Sequence, residues 1–250
     1  MCAAGSRNPE TLRTYWRAAA AMSSSVAPSG SAGGRRVLML RHMAFLGYRA
    51  VRAAPAGVRL AGCGQMNSMI EARTLYLFCS AAPPVFDVAR VIEDAQARGW
   101  DVCLGLTPSA ARWLEPSLDG LAALTGHPVL SAYGHPGDPD VWPPADAVLF
   151  APATFHTVNA WALGLTGNFV VGVATEAAGR GLPVVAMPCA NAAYVRHPQF
   201  ERSVETLRTA GVTVLYGEGG YVPDPPGRDW PDHFPWASAL DAVEPVHGAR

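Results

Sequence analysis

Small hydroxyl and imidazole side chains recur at the points where apolar runs of strand length give way to helical periodicity. The densest such point is Ala151-Pro-Ala-Thr-Phe-His-Thr-Val-Asn159. The apolar run Asp146 to Phe150 precedes it, and Val158 to Leu165 follow with apolar residues at helical spacing. The segment reads as a strand end, a polar loop and a helix start in succession. In an open α/β sheet, ligands sit outside the carboxyl ends of the parallel strands. Thr154, His156 and Thr157 occupy that place. Two earlier run ends also carry hydroxyls. Ser80 follows Cys79 and precedes a helix opening on Pro83, while Thr107 and Ser109 open the next helix. Helix N-termini offer unpaired N–H groups and a partial positive charge, so convergent ones suit a phosphate. Taken singly, each piece also fits ordinary helix capping. With no GxGxxG and no Walker sequence, a mononucleotide fits better than a dinucleotide or a nucleoside triphosphate. Ala81 and Ala82 are small enough for a ligand to approach the backbone closely.

Composition removes several chemistries. All 19 basic residues of the 250-residue chain are arginine. A lysine Schiff base, a P-loop lysine and a lysine nucleophile are therefore excluded. Charge is divided unevenly: nine Arg stand against Glu10 alone up to Ile70, and ten Arg against 19 acids from Glu71 onward. The acidic second part argues against a nucleic-acid-binding surface there. The five cysteines, Cys2, Cys63, Cys79, Cys103 and Cys189, form no CxxC pair and no disulfide framework. Cys79 and Cys103 fall in apolar runs that suit small buried thiols, and a reducing cytoplasm is the expected setting.

The elements that must position these groups begin after Glu71. Residues 1–70 are rich in Ala, Ser, Gly and Arg, with flexible low-complexity patches at Ser23-Ser-Ser25 and Pro28 to Gly34. They are expected to be a disordered tail or sequence upstream of a later start at Met66 or Met69; the basic, acid-poor composition also resembles a transit peptide. The apolar stretch Val37 to Leu40 is interrupted by Arg41 and His42, too short for a membrane span. Strands are expected at Thr74–Cys79, Trp100–Leu106, near Pro128–Leu130, at Asp146–Phe150, Leu182–Met187 and Val212–Leu215. Helices are expected from Pro83 to Gly99, from Thr107 past Leu114, at Asn168–Gly179 and at Phe200–Ala210. Strand–helix alternation predicts an α/β fold, a Rossmann-like (flavodoxin-like) three-layer sandwich on a parallel sheet, over residues 71–222. The tail, residues 223–250, has a possible short helix starting at Pro235 and packing back on the domain.

From Glu71 to about Val222, roughly three fifths of the chain, the sequence resembles the homo-oligomeric FMN-containing cysteine decarboxylases, a flavoprotein family that includes phosphopantothenoylcysteine and lantibiotic peptidyl-cysteine decarboxylases. Cys79-Ser80-Ala81 matches the family's Gly-Ser pair, with Cys79 in place of glycine. Thr107-Pro-Ser-Ala110 matches its Thr-x-Ser-Ala element. Pro152 to Thr157 matches Pro-Ala-Ser/Thr-Ala-Asn-Thr, with Phe155 and His156 replacing alanine and asparagine. Gly164 and Asn168 fit the following glycine and asparagine. Pro188-Cys-Ala-Asn191 and Pro198 match Pro-x-Met-Asn-x-x-Met-Trp and its trailing proline, with departures at Ala190, Tyr194 and Val195.

The resemblance implies FMN as cofactor, with Ser80, Thr107, Ser109, Thr154, His156, Thr157 and Cys189 as its contacts. It implies oxidation of a cysteine-type thiol to a thioaldehyde followed by loss of the adjacent carboxylate, which the residue matching Asn191 is placed to hold. It implies a homotrimer or a multiple of it. At the place of the family's catalytic histidine stands Asp138, with His135 three residues upstream. An anionic aspartate acts as a base and not as a proton donor, which leaves Asp138 and His156 as candidates for proton transfer beside Asn191. Gly217 to Pro226 holds no counterpart of the late cysteine of the pantothenoylcysteine enzymes. Two alternatives remain open: a flavin carrier or redox partner without decarboxylase activity, and a relative of the flavin prenyltransferases, disfavoured by the absence of lysine.

Overall fold

The computed structural model describes residues 73–227 and 233–244, all within the compact unit Gln65–Arg250. The basic segment up to Ile70, with the expectations attached to it, lies outside the described residues. Along Leu75-Tyr-Leu-Phe-Cys79, Leu75, Leu77 and Cys79 enter one apolar cluster while Phe78 enters another. That period of two is the signature of a strand covered on both faces. The chain order is β1 (Arg73–Cys79), α1 (Val88–Ala97), β2 (Trp100–Leu106), α2 (Pro108–Leu114), α3 (Leu118–Thr125), β3 (Ala147–Thr154), α4 (Phe155–Ala162), α5 (Phe169–Gly179), β4 (Val184–Cys189), α6 (Ala192–Val195), α7 (Pro198–Thr209), β5 (Thr213–Val214) and α8 (Trp236–Val243).

The strands are parallel, in spatial order β2-β1-β3-β4-β5. The chain steps from β1 to β2 on one side, then returns to β3 on the other, so the strand order reverses between β1 and β3. A crevice opens at such a switch point beyond the strand ends. One face of the sheet packs Val91 and Ile92 of α1, Ala110 and Leu114 of α2, Leu121 of α3 and Leu240 of α8. The other packs Trp161 of α4, Val170 and Ala174 of α5, and Phe200 and Val204 of α7. These layers form the expected three-layer α/β sandwich. Gly105 in β2 makes room for the second core. A Cβ there would stand 2.5 Å from the Phe78 ring and 2.9 Å from Val170.

Three expectations are corrected, and one helix is added. The strand near Pro128–Leu130 is a single parallel bridge, Leu130 to Gly105, because only Leu130 pairs across (Leu106 N–H to its carbonyl, its own N–H to Leu104). The polar loop at 151–154 does not exist: β3 continues through Thr154, and α4 begins at once at Phe155 because the Thr154 hydroxyl accepts the Thr157 N–H. The helix opening on Pro83 begins as a tighter 3-10 turn, Pro83–Asp87, before α1. Helix α3 was not expected; Gly126, at φ 74°, supplies its left-handed C-cap. The tail helix does form. Trp236, Ala239, Leu240 and Val243 of α8 are buried in the first cluster. Among the described residues no helix is long and apolar enough to cross a membrane.

Candidate functional site

The switch between β1 and β3 brings the two most polar run ends together. Ser80 follows β1, and its backbone N–H donates to the Pro152 carbonyl of β3 at 2.8 Å. Its hydroxyl lies 2.9 Å from that of Thr157, which in turn lies 3.0 Å from the Thr154 hydroxyl. Ser80 and Thr157 are buried, whereas Thr154 is half-buried. Each hydroxyl donates once, so this chain ends in unspent donor or acceptor capacity at the rim. The Thr107 N–H donates to the Cys79 carbonyl at 2.9 Å, which fixes α2 beside β1, and the Thr107 hydroxyl caps α2 at Ala110. Ser109, on the first turn of α2, accepts from the Arg112 guanidinium at 3.1 Å.

Beyond β3 and β4 lies a cavity of about 370 Å³ whose walls include Ala81, Thr154, His156, Cys189, Asn191 and Tyr221. Of the residues expected at the site, Thr154, His156, Cys189 and Asn191 thus share one cavity, with Ser80 and Thr157 joined to it through Thr154. His156 stands exposed in the first turn of α4. Asn191 is the N-cap of α6: its Oδ1 accepts the N–H groups of Ala193 at 3.0 Å and Tyr194 at 3.1 Å. The carboxamide is thereby oriented, and its Nδ2 is a donor not used in the cap. Asp138 stands apart in the chain. Its Oδ2 accepts the His135 N–H at 2.7 Å, closing a local turn, and it lines a different cavity with His135, Trp142, Glu176 and Arg180. Sequence reading missed Asp224 and the placement of Tyr221 in the cavity wall. The signal available was the glycine-rich Gly217-Glu-Gly-Gly220 after β5, which folds the chain back toward the strand ends.

Burial governs the thiols. It pushes Cys103 up to about 12, with Asp101 adding to the shift, and pushes Cys189 up to about 12 against a partly offsetting hydrogen bond from Tyr221. Burial also raises Cys79, whose Sγ–H donates to the Ala151 carbonyl at 3.0 Å. Thiols held above neutrality remain protonated and poorly nucleophilic. Iodoacetamide at mildly alkaline pH is therefore expected to leave Cys79, Cys103 and Cys189 unmodified in the folded protein and to modify all three after denaturation. Peptide mass mapping reads the result, and labelling of Cys189 in the folded state would contradict it.

The site suits an amphipathic ligand with a polar tail. Cavities of a few hundred Å³ that mix apolar walls with a few oriented polar groups are typical of small-molecule and cofactor sites. Of the four N–H groups that a helix start leaves without an intrahelical partner, Thr154 takes only that of Thr157 in α4. Hydroxyls and free helix-start donors form a neutral donor set for an anionic tail. No Arg stands among the described residues lining the cavity.

Among solved structures, the FMN-dependent cysteine decarboxylase TvaF from thioviridamide biosynthesis is 24% identical with a TM-score of 0.51, covering 68% of this chain and 98% of its own. The FMN-dependent cysteine decarboxylase SpaF is 22% identical at a TM-score of 0.50, over 58% of this chain and 83% of its own. The cypemycin decarboxylase CypD is 19% identical at 0.50, over 69% and 95%. At these identities the likeness is one of fold. No curated protein sequence matches the chain. The sequence pattern of the Flavoprotein family matches residues 64–228, a span that runs through β1, β3 and β4 and every wall of the cavity beyond them, and the chain belongs to that family.

Proposed function

We propose that this flavoprotein binds FMN in the crevice between β1 and β3 and catalyses the flavin-dependent oxidative decarboxylation of a substrate carrying a cysteine-type thiol and carboxylate. The observation that carries the reading is the shared cavity, where the hydroxyl chain at the start of α4 meets the oriented carboxamide of Asn191. Ser80, Thr107, Ser109, Thr154 and Thr157 hold the polar tail of the cofactor, and His156 and Cys189 border its ring. The flavin supplies a two-electron oxidant for the thiol-bearing carbon; the protein supplies position and exclusion of water. Asn191 Nδ2 donates to the substrate carboxylate until carbon dioxide leaves. Carbon dioxide release from a cysteine-terminated peptide or from pantothenoylcysteine tests this. Stoichiometric release by the flavin-loaded protein is expected, and flavin-loaded protein inert toward both thiols would overturn the decarboxylase reading.

One observation favours a second reading, a flavin carrier or redox partner: Asp138, at the place of the family histidine, does not reach the cavity within the chain. A flavin prenyltransferase activity ranks last, because the chain has no lysine and no Arg among the described residues lining the cavity to hold substrate phosphates. The oligomer proposed is a homotrimer or a multiple of it, read by light scattering at micromolar concentration. The proposed location is the cytoplasm. His156→Ala is expected to weaken FMN retention about tenfold, the worth of one polar contact. Retention is read as flavin absorbance left after dialysis, and unchanged retention with an unchanged spectrum would remove His156 from the cofactor contacts.

A further inference from the structure

Phe155, Tyr194 and Asp224 line the same cavity and have no part in the scheme above. After β5 the chain turns back through Gly217, at φ 80°, and Gly219, at φ 84°. A Cβ on Gly220 would collide with the Leu215 backbone, so the turn admits no side chain there. The turn delivers Asp224 to the wall, where two contacts fix it. The hydroxyl of Tyr221, a residue only 3% exposed, donates to Asp224 Oδ2 at 3.3 Å. The Asp224 carbonyl accepts the Ala192 N–H of α6 at 2.8 Å. Asp224 is half-buried, and its Oδ1 has no hydrogen-bond partner among the described residues.

Helix α6 ties this carboxylate to two rings. Its cap, Asn191, accepts the Tyr194 N–H at 3.1 Å, which sets the Tyr194 ring one turn from the carboxamide. Tyr194 is 56% exposed, and its ring packs on that of Phe155 at 5.2 Å. Phe155 is anchored in turn by the fully buried Phe200, stacked on it at 6.1 Å. Both rings depart from the family pattern, Phe155 replacing alanine and Tyr194 lying in the segment after Asn191. Carboxylates and aromatic faces are the side-chain groups that attract cations. Among the described residues the wall holds one carboxylate and no Arg, and its imidazole, His156, is the one assigned to the flavin. A substrate carboxylate held by Asn191 thus meets Asp224 with no cationic side chain between them, and like charges repel most where water is scarce. A cation on the substrate itself removes that repulsion. We propose that Asp224, Tyr194 and Phe155 form a subsite for a cationic group. The substrate class is then a thiol acid that also bears an ammonium or guanidinium group. In a cysteine-terminated peptide that group is the side chain of a basic residue preceding the cysteine. Asp224 Oδ1 accepts a hydrogen bond from the cation, and the Tyr194 ring, backed by Phe155, covers it.

This inference rests on the cavity being the substrate site of the proposed reaction, and the test separates the two. Acetyl-glycyl-lysyl-cysteine is compared with its norleucine counterpart, which keeps the lysine stem and lacks the charge. Serine versions of both peptides, with no thiol to oxidise, are titrated calorimetrically into flavin-loaded protein, so that binding is read without turnover. The lysine peptide is expected to bind about tenfold more tightly, as one hydrogen bond between charged groups allows. The cysteine peptides are expected to show the same ratio in KM at equal kcat, the mark of a contact made equally in ground and transition state. Asp224→Asn, which keeps an acceptor for Tyr221, is expected to keep the flavin spectrum and abolish the preference for lysine. Tyr194→Leu is expected to reduce that preference about threefold, the strength of one exposed cation–π contact. Lysine and norleucine peptides bound equally by the unaltered protein, or a full preference surviving in Asp224→Asn, would overturn the subsite even if carbon dioxide is released from both. A lysine preference that depends on Asp224, in a flavin-loaded protein that releases carbon dioxide from neither peptide, would instead overturn the decarboxylase reading and leave the subsite standing.

Discussion

Asn191→Asp is expected to lower turnover about a hundredfold while FMN stays bound. Aspartate keeps an oxygen where Asn191 Oδ1 stands, so the N–H groups of Ala193 and Tyr194 remain capped and α6 keeps its place. What changes is the other half of the group. The Nδ2 donor becomes an oxygen, and a negative charge then faces the substrate carboxylate. Losing one hydrogen bond to a charged group costs about 1.5–3 kcal/mol, and like-charge repulsion adds to it. Asn191→Ala is a poorer probe, because it removes the cap as well, worth about 1 kcal/mol. Steady-state kinetics alongside the flavin spectrum read the outcome. Flavin lost from Asn191→Asp to the same extent as activity would make the residue structural and remove the substrate half of the scheme.

Phe150→Ala is expected to cost about 3–5 kcal/mol of stability, a large part of the roughly 5–15 kcal/mol that holds a typical domain together. Phe150 is fully buried at the centre of β3, edge-on to Phe78 at 5.8 Å and 5.6 Å from the Trp161 ring of α4. The surrounding strands are hydrogen-bonded on both sides, at Phe78 and Ala186, so the hole cannot close by a small shift. Because Trp161 belongs to α4, the same truncation is expected to loosen the helix that carries His156 and Thr157. Urea denaturation followed by tryptophan fluorescence reads the loss; a change under 1 kcal/mol would mean that the second core collapses around the vacancy.

The sheet was legible as short unbroken apolar runs, and the structure resolves each run into two alternating faces. Leu75, Leu77 and Cys79 against Phe78, and Leu149 against Phe150, announce strands covered on both faces. Thr107, Thr154 and Asn168 announce helix starts, and all three cap in the structure. The strand through 151–154 was hidden because Ala and Pro carry little strand propensity; pairing of Ala153 with Pro188 and Thr154 with Cys189 decides it. Helix α3 was hidden by Gly120 in its interior. The hydroxyl cluster of Ser80, Thr154 and Thr157 was expected from strand ends alone, because parallel strands place their exits on one edge. The position of Asp138 was not legible. Its distance along the chain from β3 matches the family histidine, but the fold of the intervening Gly- and Pro-rich segment sets where it lies. Tyr221 and Asp224 were missed for a related reason: a glycine turn, and not periodicity, brings them to the wall.

The measurement that bears most directly on the central claim is the visible spectrum of the purified protein, with extraction and mass determination of whatever it binds. The expected result is an oxidised-flavin spectrum, FMN as the extracted species and one FMN per chain, with binding lost when Thr157→Val breaks the hydroxyl chain between Ser80 and Thr154. A colourless protein that takes up no added FMN, or one whose FMN content is unchanged by Thr157→Val, would contradict the placement of a flavin at the crevice between β1 and β3.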